Sequence, residues 1–201
     1  MKVITARNFF IATIIGIILY VVLHVIALLL PPYYSPITQA ESDLAVGPYG
    51  YIMTVNFLVR CLLSLSFIAG LMLAINSKKP LYRTGLVLLG IWAIGSAIVA
   101  FFPTDLSPPP FTFHGMIHSY VGIISFVAAC LGAIAISLYM RNDNQFKDIT
   151  KYTIPLNVLS VIGFVLMRFT LFGLFESILI FSILLWMLTI SIYAGVLKEP
   201  N

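Results

Sequence analysis

The stretch Asn8–Leu30, NFFIATIIGIILYVVLHVIALLL, decides the fold class. Apart from His24 it holds no acidic or basic side chain, and it is apolar on every face that a regular element would present. Crossing a bilayer as a helix takes about 20 apolar residues, and this run is long enough. A lipid-facing barrel strand would alternate polar and apolar residues, and here there is no alternation. Lys2 and Arg7 precede the run, as basic residues precede a secretory leader. Yet it exceeds the roughly 7 to 15 residues of a leader core, and no small-x-small cleavage site follows. It is expected to remain as the first helix.

Working outward, five further runs read the same way: Gly50 to Ile75, Leu81 to Phe102, Phe113 to Met140, Ile154 to Phe172 and Leu174 to Val196. Pro31-Pro32, Pro80, Pro103, Pro108-Pro109-Pro110 and Pro155 punctuate them. The expected fold is all-α, a single membrane domain of six transmembrane helices over residues 1–201. Composition agrees: the 201 residues are 61% hydrophobic and 9% charged, against about 25% charged in soluble chains. The spans leave no room for a sizeable soluble domain. The net charge of +4 does not point to nucleic acid, because the cations sit in short loops and not on one solvated face; the partner they suit is the lipid bilayer. Cys61 and Cys130 lie inside apolar runs with no CxxC spacing, and read as buried thiols.

Lys and Arg in short loops set orientation. Lys2 and Arg7 at the N-terminus, Lys78, Lys79 and Arg83 in the second loop, Arg141, Lys147 and Lys151 in the fourth, and Lys198 at the C-terminus all fall on one side. The first, third and fifth loops carry none, and Arg60 and Arg168 fall inside the expected spans. Both termini are therefore expected in the cytoplasm, with the protein in the cell membrane.

Each ionisable group in hydrocarbon costs roughly 2.5–3.5 kcal/mol on insertion scales and calls for a partner, a cavity or a purpose. At 1.5 Å per residue, His24 lies about 9 Å from the outer end of its span, Arg60 about 15 Å in, and Arg168 about 6 Å from the outer end of the fifth. His114, His118 and Glu176 start the outer turns of helices four and six, and Asp105 precedes helix four. This shared level is the best functional clue in the sequence. It nominates Arg60, Asp105, His118, Arg168 and Glu176 as ligand-binding residues.

His114 and His118 stand four apart, so they share a helix face and can reach one zinc or copper ion, with His24 and Asp105 as further ligands. No zincin glutamate lies between them, since the intervening residues are Gly115, Met116 and Ile117. Haem b is the other cofactor to weigh. Two histidines on one face cannot take opposite sides of an iron, so the axial pair would be His24 with His118 or His114. Against these stand plain structural roles: Arg60 and Arg168 pairing with Glu176 and Asp105, Asp105 bracing its loop with Thr104 and Thr112, and Asn56, Ser64, Gly90, Gly95 and Ser96 joining helices.

Glu41-Ser-Asp-Leu-Ala-Val-Gly-Pro-Tyr-Gly-Tyr-Ile-Met-Thr-Val-Asn-Phe57, then Phe102-Pro-Thr-Asp105 and Thr112-Phe-His-Gly-Met-Ile-His118, together resemble the prokaryotic membrane family catalogued as domain of unknown function 998. The likeness covers nearly the whole chain in order and spacing. It implies a six-helix membrane fold and supplies no reaction. In the family pattern the positions of His118 and Asp105 recur, whereas those of His114 and His24 are less regular, so a three-histidine metal site would be peculiar to this member. The expected function is a polar outer-half pocket for a small ligand, lipid headgroup or metal. The alternatives are a zinc-dependent hydrolase acting on lipid and a non-catalytic, haem-binding or scaffold subunit among other membrane subunits.

Overall fold

A computed structural model describes residues 5–106, 112–169 and 171–197. The expectations attached to Lys2, Lys198 and the 108–110 prolines lie outside the described residues. Six helices are long and apolar enough to cross a membrane, and the described residues contain no strand. They are α1 (Ala6–Leu29), α2 (Gly50–Ala74), α3 (Pro80–Phe101), α4 (Phe113–Arg141), α5 (Thr150–Leu166) and α6 (Phe172–Ile192). Short 3-10 turns at Glu41–Ala45 and Lys147–Ile149 lie before α2 and α5, and a π-helical turn, Tyr193–Leu197, extends α6.

Successive helices are neighbours and α1 also packs on α6, which closes the six into a ring. The centre is aromatic. Phe67 of α2 meets Trp186 of α6 edge-on at 5.2 Å, and the Trp186 indole N–H donates to Ser137 Oγ of α4 at 2.8 Å. Such a buried donor needs an acceptor, because an unpaired one costs about 1–3 kcal/mol. Outward, Ile15, Ile18, Leu62, Val87, Leu131 and Val158 are all at least half exposed, and they lie on five different helices. An apolar surface that wraps the bundle is a surface made for lipid.

Close approaches follow small residues. A Cβ on Gly163 of α5 would come within 2.7 Å of the Leu179 backbone nitrogen and Phe175 carbonyl of α6, so only glycine fits there. On α3 the expected small-residue seam is half right. A Cβ on Gly95 would clash with Ser125 of α4, whereas nothing lies within 4 Å of one on Gly90. Ser96 has different work, described below.

One boundary differs from the sequence expectation. Pro155 lies inside α5 and does not open it. Lys147–Ile149 leads straight into Thr150, whose hydroxyl donates to the Lys147 carbonyl at 2.6 Å and starts the helix early. At the other end α5 stops at Leu166, because the chain turns through Leu171, in the left-handed region at φ 47°, to begin α6 at Phe172. The first turn of α6 docks on the α1–α2 connection: Leu174 N–H donates to the Ile37 carbonyl at 3.1 Å. Arg168 therefore lies beyond the end of α5, in the α5–α6 turn, and not inside a span.

Candidate functional site

The α1–α2 connection folds inward over one end of the ring. Its 3-10 turn begins at Glu41, which is 2% exposed although it lies in a loop. Three elements hold it there. The Tyr20 hydroxyl of α1 donates to the Glu41 carboxylate. His24 Nδ1, one turn on, lies 2.9 Å from Glu41 Oε1, an ion-pair distance but off the N–H axis that a hydrogen bond needs. The Glu41 backbone N–H donates to Glu176 Oε2 of α6 at 2.6 Å. Burial raises the pKa of Glu41, but the adjacent His24, the Arg60 charge and the Tyr20 hydroxyl outweigh it and hold the carboxyl below its usual range.

Arg60 stands near the middle of α2 and is 5% exposed. Its Nε–H donates to Ser96 Oγ of α3 at 2.9 Å, and Ser96 in turn donates to the Trp92 carbonyl at 2.9 Å. The guanidinium lies 4.5 Å from the ring centre of Trp92 and 5.1 Å from that of Phe57. These contacts shelter the cation. Among the described residues, however, no carboxylate comes within ion-pair distance of Arg60; His24 with Glu41 is the one such pair they contain. The expected pairing of Arg60 and Arg168 with Glu176 and Asp105 does not form, because Glu176 is engaged by the Glu41 backbone and Asp105 by its own loop.

A cavity of about 620 Å³ lies beside these groups. Glu41, Arg60, His118 and Glu176 line its polar end, Val99, Phe126, Phe164 and Ile180 its apolar walls, and Arg168 lines it from the exposed α5–α6 turn. Its roof is buried, with Glu41 at 2% and Ser42 at 9% exposure. The exposed lining residues are Ser119 and Ile123 on α4, Val165 on α5, Arg168 and Phe169 in the turn after it, and Phe172 at the start of α6. The opening thus runs from the apolar surface between α4 and α5 to the α5–α6 turn.

Of the sequence-nominated residues, Arg60, His118, Arg168 and Glu176 line this one cavity. His118 Nδ1 lies 2.7 Å from the Phe102 carbonyl. A carbonyl only accepts, so Nδ1 carries the proton and Nε2 is left as the acceptor. Asp105 does not line the cavity. Its two oxygens accept from Thr112 N–H at 2.6 Å and Thr112 Oγ1 at 2.8 Å, while Thr112 Oγ1 accepts from Gly115 N–H at 3.1 Å, so it braces the start of α4.

The three histidines are not brought together. His114 is exposed and packs on the rings of Phe102 and Phe113, His118 turns to the Phe102 carbonyl, and His24 to Glu41. Among the described residues no group of three or more His, Cys, Asp or Glu side chains is placed to hold a metal ion. The His24, His114 and His118 zinc set therefore has no assembled form among the described residues, because shared depth along neighbouring helices does not mean a shared azimuth.

Sequence reasoning missed Glu41 and Tyr20. A loop carboxylate reads as solvated and a helix tyrosine as core, and nothing in their spacing shows that the loop folds back. The one available signal was the position of Glu41 at the head of the quoted family-like segment.

The model of the family described as "Protein of unknown function (DUF998)" matches residues 14–193, and the chain belongs to that family. Neither a curated protein nor a solved structure matches it.

Proposed function

We propose that this member of the DUF998 family is a membrane receptor for an amphiphile, held with an anionic phosphate or carboxylate head on Arg60 and its apolar portion along the cavity toward the α4–α5 opening. One observation carries the reading: a guanidinium buried at mid-span, at the end of a cavity, that makes no direct ion pair among the described residues, although Glu41 acts on it from a distance. Burying an ion without a partner is expensive. Contacts with aromatic rings return about 0.5–2 kcal/mol, less than the roughly 2.5–3.5 kcal/mol cost of arginine at mid-membrane. An anion that brings two oxygens to the guanidinium fork removes the deficit.

The rest of the cavity supports the same class. Its walls are mostly aliphatic and aromatic, with a few polar groups gathered at one end, as in sites for amphipathic small molecules. Ile123 and Val165, exposed at its mouth, lie on the apolar outer surface, which supports entry of the ligand from the bilayer. The loop cations at the opposite end of the bundle support a cytoplasmic location for that end under the positive-inside rule. The proposed cavity then serves the outer leaflet of the cell membrane, with both termini inside.

The test is retention of lipid. The protein is purified in a mild detergent and its bound organic phosphate and fatty acid are measured for the wild type and for Arg60→Gln. The expected result is about one equivalent retained by the wild type, and a loss of most of it in the variant with the helical content unchanged. Equal retention in both proteins contradicts the proposal.

A further inference from the structure

The polar end of the cavity is not uniformly basic. Two carboxyl groups, Glu41 and Glu176, stand on its wall beside Arg60, and each is at least 95% buried. Each has one oxygen engaged in anchoring the loop. Glu41 Oε1 receives Tyr20 and His24, and Glu176 Oε2 receives the Glu41 N–H. Their other oxygens have no such partner: Glu41 Oε2 is buried without a hydrogen bond, and Glu176 Oε1 accepts none from the described residues. A site for a simple anion has no use for two carboxyl groups with vacant acceptors, which would repel it.

We propose that Glu41 and Glu176 form a subsite for a protonated primary amine, so that the ligand is a zwitterionic amphiphile whose head carries an amine and an anionic phosphate. This inference rests on the reading of Arg60 as the anion anchor. Arg60 takes the phosphate, and the ammonium donates to the vacant carboxyl oxygens on the adjoining wall, so the buried cation and the vacant acceptors each gain a partner. The chemistry discriminates between amines. A quaternary ammonium has no N–H to donate and is usually held on aromatic faces. Here one face each of Trp92 and Phe57 is already taken by the Arg60 guanidinium. A primary amine, with three donors, suits the carboxylates.

The experiment is a competition read by native mass spectrometry on the full chain in detergent, with phosphatidylethanolamine, phosphatidylglycerol and phosphatidylcholine of identical acyl chains. The expected result is a preference for phosphatidylethanolamine of roughly tenfold over both others, the worth of one charge-assisted hydrogen bond. Glu176→Gln keeps an oxygen to accept the Glu41 N–H but can no longer supply a carboxylate to the ammonium, and is expected to erase that preference while phospholipid is still retained. Equal occupancy by phosphatidylethanolamine and phosphatidylglycerol in the wild type overturns the amine subsite and leaves the Arg60 reading intact. A preference that survives in Glu176→Gln overturns the assignment to these carboxyl groups. If none of the three lipids binds, the Arg60 reading is overturned as well. Displacement of bound lipid by O-phosphoethanolamine at equal concentration supports the same head chemistry from a soluble source, whereas glycerol phosphate displacing equally well counts against the amine.

Discussion

The Glu41 backbone N–H and the Glu176 carboxylate, 135 positions apart in sequence, lie 2.6 Å from one another. Through this bond α6 holds the loop that roofs the cavity, so the first connection and the last helix share one anchor. Glu176→Ala leaves that buried N–H without an acceptor, at a cost of about 1–3 kcal/mol. We expect faster amide hydrogen exchange in residues 41–45 and a lower thermal midpoint, with Glu176→Gln much closer to the wild type. Equal losses in both variants would mean that Glu176 acts through its charge and not as an acceptor.

Tyr20 supports the same loop from α1. Tyr20→Phe removes the hydroxyl that donates to Glu41 and changes little else in a fully buried side chain. Hydrogen bonds to charged groups are worth about 1.5–3 kcal/mol, and a destabilisation of that size in thermal unfolding is the expected outcome. A variant as stable as the wild type would remove Tyr20 from the account.

Glu41 also gives the fold a pH dependence of known sign. Burial works against its ionised form, but His24, Arg60 and Tyr20 prevail and hold its pKa below the usual glutamate value. A depressed carboxyl contributes stability that is fully present above the unfolded pKa, near 4.3, and lost as pH falls through the folded value. The thermal midpoint should therefore drop between about pH 5 and pH 3, and the drop should be shallower in Glu41→Gln. An identical slope in the variant would transfer the effect to another group.

Asp105 should behave differently from the cavity residues. Its contacts are with Thr112, so Asp105→Ala is expected to speed exchange in the first turn of α4, with a local cost of roughly 1 kcal/mol as for a lost helix cap. Bound lipid should be unchanged. Loss of the lipid in this variant would instead place Asp105 with Arg60 and Glu176.

How far the sequence carried these conclusions differs between elements. Six helices could be read directly, because apolar length is the quantity a bilayer selects. The limits of α5 could not, since Pro155 is accommodated inside the helix and the end at Leu166 is set by the docking of the first turn of α6 on Ile37. For the site, the cost of polar groups in hydrocarbon singled out Arg60, His118 and Glu176, and they line one cavity. The same argument grouped His114 and Asp105 with them, because counting residues gives height along a helix but not the direction a side chain faces. Glu41 was illegible for another reason: its burial follows from a loop folding into the bundle, and loops have no periodicity to reveal that.

The most direct test of the account is an experimental density map of the wild-type chain in a phospholipid nanodisc. The expected map contains a continuous elongated feature, with its head against the Arg60 guanidinium between Trp92 and Phe57 and its tail emerging between Ile123 of α4 and Val165 of α5. A cavity that is empty or collapsed in such a map, with Arg60 turned to a protein carboxylate, would contradict the claim that this site is built for a membrane amphiphile.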